Sequence, residues 1–360
     1  MSINLNDKAF LFMSTQESSA VKDGRLKDAS LVARLLDRSI VCDMTLPIGT
    51  PGSEESQRRL FKRLLKSGFS FVSITVATDD EDPRQALDQI ARYRAMCAEE
   101  GCVLIQRVAD IERAKAAGVL AIALNFQGTV PVGRNLELIS VYYSLGVKHM
   151  LMAYNQRNFV ADGCHELTDA GLSRFGRSLI AEMNRVGMIV DVAHTSYRSS
   201  LDAIECSTHP VIVSHGNVWA LNQHPRCCKD EQIRAIANKN GVVGLTGLNI
   251  FTGDDSACAE GYVRQIDYIV QLVGPAHVGF GFDYVHDLPT LARSAQAQAA
   301  KWPPEGGYSR SDIAQVELES LPLIVQRMLD LGYSEEAIRG ILGANWLRVM
   351  RAVEADQAIN

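Results

Sequence analysis

The chain of 360 residues has no CxxC pair, no long run of basic residues, no early glycine-rich phosphate turn and no linker rich in Gly, Ser or Pro. Each absence removes a class of protein. Without CxxC spacing, the eight cysteines at 42, 97, 102, 164, 206, 227, 228 and 258 form neither a zinc ribbon nor a disulfide framework. A chain of this size needs no disulfide staples, so reduced thiols are expected, including the vicinal pair Cys227–Cys228. The formal charge of −6 makes nucleic acid and anionic membranes poor partners. No segment reaches the roughly 18 apolar residues of a spanning helix. The apolar run Ala9 to Met13 falls short of the about 7–15 residues of a signal-peptide core. A cytoplasmic protein with no membrane partner is therefore expected.

What is present is the balance of a large soluble core, 47 % hydrophobic and 22 % charged. After an N-terminal extension over 1–30, residues 31–360 read as one domain. Short apolar, β-branched runs recur at 39–45 (SIVCDMT), 69–77 (FSFVSITVA), 119–127 (VLAIALNFQ), 147–154 (VKHMLMAY), 188–194 (MIVDVAH), 210–215 (PVIVSH), 242–249 (VVGLTGLN) and 277–283 (HVGFGFD). Stretches of helical period separate them, such as GLSRFGRSLIAEMNRVG and DEQIRAIANKNG. Runs without strict alternation suit strands buried on both faces. Eight such runs, each followed by a crossover, predict a closed parallel (β/α)8 barrel, with CVLIQ at 102–106 as an extra edge piece. An open doubly wound sheet is the alternative, but it usually carries the phosphate turn this chain lacks. The irregular stretch 284–312 after the eighth run reads as a lid or an oligomer contact. Near the end, GANWLRVM reads as helical core packing on the barrel.

In such a barrel the carboxyl ends of the strands line one mouth. The polar residues ending the runs are Asp43 and Thr45, Gln127, Tyr154, His194, His215 and Asp283. Two histidines closing successive strands are placed to share a metal through neutral imidazoles. Asp283 is a carboxylate that ligates or takes a proton; its plainer role is a helix cap or a loop ion pair. Arg226, in NQHPRCCKD, suits a bidentate grip on a substrate carboxylate, against the plainer role of a solvated loop charge. Asp230 reads as a helix cap.

These blocks carry a likeness. GLSRFGRSLIAEMNRVGMIVDVAHTS, PVIVSHGNVWALNQHPRCCKDEQI, GVVGLTGLN, HVGFGFDY and GANWLRV, in that order, resemble the membrane (renal) dipeptidase family, peptidase family M19, of the amidohydrolase superfamily. The resemblance spans about residues 31–353 and includes YYSLGVKHMLMAYNQRN. It implies a metal-dependent TIM-type barrel, in which two zinc ions hydrolyse a dipeptide, and often a homodimer. It assigns His194 and His215 as metal ligands, Asp283 to proton handling and Arg226 to substrate binding, with Asn158 a second substrate-binding candidate. The family's first-strand His-x-Asp falls on Asp43 and Thr45, its bridging Glu on Gln127, and its fourth-strand His on Tyr154.

These departures weaken a two-metal site, which needs negative charge between cations about 3.5–4 Å apart. Gln127 is neutral and Thr45 is a poor ligand. One divalent ion is therefore expected, held by His194 and His215 with Gln127 or Asp43 completing the set. Zinc suits this donor set best, while iron, manganese and nickel stay open. Tyr154 still offers a hydrogen bond to a developing oxyanion but carries no positive charge. Three functions follow: a hydrolase of a small amide or dipeptide-like substrate with weak ordinary dipeptidase activity; a lyase, isomerase or decarboxylase on the same scaffold; or a non-catalytic binding protein.

Overall fold

All eight apolar runs become strands of one parallel sheet in the computed structural model, which describes residues 29–47 and 54–357. We label them β1 (Cys42–Leu46), β2 (Phe71–Thr78), β3 (Ala121–Gln127), β4 (Val147–Leu151), β5 (Ile189–Asp191), β6 (Val211–Val218), β7 (Val243–Leu245) and β8 (Val278–Phe280). Each pairs with the next in chain order. β8 returns to lie against β1, and the Phe282 N–H donates to Asp43 Oδ1 at 2.9 Å across that seam. The result is a nearly closed (β/α)8 TIM-type barrel. Most of the N-terminal extension lies outside the described residues; the first described helix, Ala29–Arg38, begins just before residue 31.

The run composition explains why these segments are strands. Every residue of β1, β3, β4 and β6 is buried, so both faces of each need apolar or internally paired side chains. The registers of β1–β2, β2–β3 and β6–β7 shift near the carboxyl ends, between Asp43 and Leu46, Thr75 and Ala77, and Val213 and Gly216. Such irregularities re-aim side chains at a barrel rim. Close packing there depends on Gly281, where a Cβ would sit 1.8 Å from the Ser214 carbonyl oxygen.

The GANWLRVM segment packs on the barrel at the amino ends of its strands. Trp346 is fully buried and Leu347 nearly so, packed with Cys42, Met44, Phe71 and Ala121. The edge piece Val103–Leu104 pairs with β3. A second short piece, Cys227–Cys228, pairs with the end of β6 and was not foreseen. All eight cysteines are free. Burial raises the Cys164 and Cys228 thiols to about 12, which keeps them protonated and poorly reactive. Asp230 is not a cap: it is the first residue of helix Asp230–Asn238, and its carboxylate accepts from the Tyr268 hydroxyl. The cap there is Lys229, whose backbone N–H reaches Gln232 Oε1 at 3.0 Å. Among the described residues no helix is long and apolar enough to cross a membrane.

The stretch 284–312 forms a strap over the mouth. It contains helix Leu288–Ala297, capped by Asp287 on the Thr290 N–H, and a 3-10 turn Pro304–Gly306. It is latched by Gln156 Nε2 to Ala300 O, by His165 Nε2 with the Tyr308 hydroxyl, and by His224 Nε2 with Gly306 O.

Candidate active site

β5 ends at Asp191 and β8 at Phe280, so His194 and Asp283 stand just past their strands, on the loops. Both occupy the left-handed region, with φ of 59° and 54°. A non-glycine residue held there costs on the order of 1–3 kcal/mol, strain that persists where the surroundings over-determine it. His215 lies within β6 and is fully buried.

The two imidazoles meet: His194 Nε2 and His215 Nε2 are 2.9 Å apart. Burial pushes both well below the ordinary histidine value, and the Arg226 guanidinium adds to this. They are therefore neutral at physiological pH, the form that ligates a metal. His194 Nδ1 faces Asn155 Oδ1 at 2.7 Å. His215 Nδ1 faces the Ser214 hydroxyl at 2.7 Å and the Thr45 hydroxyl at 3.0 Å.

Tyr154 stacks on the His194 ring, centroids 4.1 Å apart and planes 22° apart. Burial raises its phenol well above the ordinary value, so it is a hydrogen-bond donor at neutral pH. The strap supplies the next layer. Trp302 meets Tyr154 edge-on at 6.2 Å, and the Lys301 ammonium lies 4.7 Å from the Tyr154 ring centre while pairing with Asp80.

Arg226 is 4 % exposed, too buried for the solvated charge that is its plainer reading. Its Nη2 donates to the His215 carbonyl at 3.2 Å, its guanidinium lies over Phe251 at 5.4 Å, and its Nε has no partner among the described residues. Asp283 is partly buried. Burial lifts its carboxyl to about 6, opposed by the Arg226 charge. A cavity of about 210 Å³ opens beside His194 and Arg226, with Cys164, Trp219 and Lys229 in its wall.

The remaining candidates are tied up more tightly. Asp43 is fully buried, and its Oδ1 accepts from the Thr45 N–H at 3.2 Å and the Phe282 N–H at 2.9 Å. Its Oδ2 is buried without a partner among the described residues, and burial raises the carboxyl to about 7. Gln127 Nε2 donates to Thr75 Oγ1 at 3.0 Å. From there a hydrogen-bonded chain runs through Asn125, Ser73 and His149 to Asp191, which accepts from the Ser214 N–H beside His215. Asn158 requires a correction. Its amide donates to Asp79 Oδ2 and Met152 O and accepts from the Val160 and Ala161 N–H groups. All four bonds serve the loops around it, which leaves no valence for substrate. Among the described residues no cluster of three His, Cys, Asp or Glu side chains is placed to hold a metal.

Three features escaped the sequence reading. Asp79, past the end of β2, accepts from the N–H groups of Thr129, Val130 and Tyr154 as well as from Asn158. It thereby ties the β3 and β4 loops together; the signal was a carboxylate closing SITVATDD, a strand end passed over. Asn155 directly follows Tyr154. The strap residues Lys301 and Trp302 are brought in from about 150 positions away, and no local pattern marks them.

Fold and mouth together define a parallel barrel whose carboxyl rim presents paired neutral imidazoles beside a buried arginine. The family model for membrane dipeptidase, peptidase family M19, matches residues 42–298, and the chain belongs to that family. It is 30 % identical over 281 residues to an uncharacterized dipeptidase of Schizosaccharomyces pombe, covering 75 % of this chain and 63 % of that one. It is 26 % identical over 277 residues to a dipeptidase of Claviceps purpurea, covering 76 % and 60 %. The chain thus spans under two thirds of the length of these curated relatives. Among solved structures, an amidohydrolase from Pseudomonas aeruginosa superposes with a TM-score of 0.80 at 29 % identity, over 89 % of this chain and 98 % of that one.

Proposed function

We propose that the protein is a metal-dependent hydrolase of a small amide or dipeptide-like substrate bearing a carboxylate, working with one divalent ion and weak on ordinary dipeptides. The observation that carries this is the 2.9 Å approach of two buried, neutral imidazole nitrogens. Nitrogens about 2.0–2.1 Å from one tetrahedral zinc lie about 3.3–3.4 Å apart, so the pair would have to open by only about half an ångström to share a single ion. The pair does not suit two ions that each keep an imidazole of their own. His194 and His215 would hold the ion, with Asp43, whose Oδ2 lacks a partner among the described residues, and Gln127 as the additional oxygen donors to be tested. When bound, a divalent cation supplies Lewis-acid polarisation and lowers the pKa of water.

In this reading the chain's own groups do the rest. Arg226 grips the substrate carboxylate through its planar fork. The Tyr154 hydroxyl donates to the oxygen on which charge develops, the role that one preorganised donor plays in an oxyanion hole. Asp283, with a carboxyl near 6, takes a proton from water and returns it to the leaving amine. The strap excludes bulk water from above. Zinc as the ion, a cytoplasmic setting and a homodimer complete the proposal, supported by the imidazole donors, the free thiols and the family resemblance respectively.

The test is a panel of dipeptides, including D-residues at the C-terminal position, assayed before and after chelation. Hydrolysis of a narrow subset, abolished by chelator and restored by zinc, supports the reading. Comparable turnover of many dipeptides contradicts the restricted site. Absence of any hydrolysis in the metal-loaded protein contradicts the reaction type.

A further inference from the structure

Neither imidazole can ligate through Nε2 unless that nitrogen carries a lone pair, so the tautomer of each ring decides whether the pair is usable. The two rings are held differently. His194 Nδ1 faces an amide, Asn155 Oδ1, at 2.7 Å. His215 Nδ1 faces hydroxyls, those of Ser214 and Thr45. A hydroxyl turns to donate or accept, whereas an amide end is one or the other.

Which end Asn155 presents is set from the strap. Its Nδ2 donates to the Lys301 carbonyl at 2.9 Å, and the whole side chain is buried. Rotating the amide by half a turn would bring Oδ1 against that carbonyl, two acceptors at hydrogen-bond distance with no proton between them. The Cys164 thiol also donates towards Oδ1, at 3.6 Å. Oδ1 therefore accepts, and the proton of neutral His194 sits on Nδ1.

The geometry assigns Asn155 as a positioning residue that fixes His194 in the Nδ1–H tautomer and keeps its Nε2 lone pair free, with the Lys301 carbonyl of the strap locking the amide in place. His215 remains adjustable. In the free protein its Nε2–H donates to His194 Nε2, and its Nδ1 accepts from a hydroxyl. A cation held by both Nε2 atoms would need His215 in its Nδ1–H form, and the Ser214 and Thr45 hydroxyls that face Nδ1 can turn to accept that proton. One ring is preset and the other responds. The metal half of this inference rests on the proposed function; the tautomer half does not.

Nitrogen-15 spectroscopy of histidine-labelled, metal-free full-length protein at neutral pH tests it, with zinc affinity measured by competition against a chromophoric chelator. In the wild type, His194 should show a protonated Nδ1 and an unprotonated Nε2; a proton on Nε2 overturns the assignment. Asn155→Asp keeps an acceptor for His194 Nδ1 but loses the amide donor to the Lys301 carbonyl, where its second oxygen must bind a proton; through the remaining oxygen it should keep the tautomer and hold zinc affinity within about tenfold. Asn155→Ala removes it and should lower zinc affinity about 10–100-fold while mixing the tautomers. Wild-type tautomer and affinity in Asn155→Ala refute the role, as does loss of the tautomer in Asn155→Asp. Should Asn155→Ala not fold, the wild-type and Asn155→Asp spectra still decide. A wild type that shows the preset tautomer but binds no zinc upholds the positioning of His194 and defeats the proposed function alone.

Discussion

Replacing Asp43 by asparagine should flatten the pH dependence of stability in the metal-free protein. Asp43 is fully buried, and its carboxyl is raised from 3.8 to about 7, chiefly by desolvation and opposed by the Thr45 and Phe282 N–H groups. A carboxyl whose folded pKa lies above its unfolded value is most favourable below the unfolded pKa. Its contribution falls as pH rises towards the folded pKa, because the unfolded chain ionises first. At about 1.4 kcal/mol per pKa unit, the full span is about 4 kcal/mol, of which roughly 3 kcal/mol develops between pH 5 and pH 8. The asparagine side chain does not titrate and keeps an oxygen for both N–H groups, but its two amide donors replace an oxygen that has no partner among the described residues, a cost of about 1–3 kcal/mol or more that does not vary with pH. The stability of Asp43→Asn should therefore rise relative to wild type by roughly 3 kcal/mol between pH 5 and pH 8, on top of the constant offset that the amide adds. The assay is urea unfolding of both proteins, stripped of metal, followed by circular dichroism across that range. The difference between the two cancels the titration of groups remote from Asp43; Asp283, whose charge helps to raise the Asp43 carboxyl, is not among them. A difference that stays constant from pH 5 to pH 8 would refute the buried, near-neutral carboxyl and the site built around it.

Other consequences are equally open to measurement. Arg226→Met should raise KM at least about tenfold for a carboxylate-bearing substrate and leave C-terminally amidated analogues little changed; an equal loss on both would remove the carboxylate contact from the account. Tyr154→Phe should lower kcat by about 10² with KM nearly constant, the signature of a donor used in the transition state. Unchanged kcat would reduce Tyr154 to a packing role against His194. Asp79→Asn turns a fourfold acceptor into a partial donor facing backbone N–H groups, and should cost about 1–3 kcal/mol in chemical denaturation. A negligible cost would show that the β3 and β4 loops hold without it.

The barrel was legible because parallel strands buried on both faces must be written as near-continuous apolar runs, and all eight were found in order. The polar residues ending those runs marked the mouth for a related reason: a charged or hydrogen-bonding side chain directly after such a run has left the core. The ends were overrun at β5 and β8, where His194 and Asp283 belong to left-handed loop turns that no apolar pattern announces. Asn158 was misplaced because an amide four residues from Tyr154 looks the same in sequence whether it faces substrate or its own loop. Only the bonds to Asp79, Met152, Val160 and Ala161 distinguish the two. The strap was recognised as irregular, but its latches join residues far apart in the chain, such as Asn155 and Lys301, so the contact depends on the closed barrel to exist.

The sharpest test of the account counts metal. Protein purified and reloaded with zinc, then analysed by elemental mass spectrometry, should hold one equivalent per chain. His194→Ala and His215→Ala should each lose it along with hydrolysis, while Arg226→Met keeps the ion. Two equivalents per chain, or one that survives loss of either histidine, would contradict a single ion shared by these two rings.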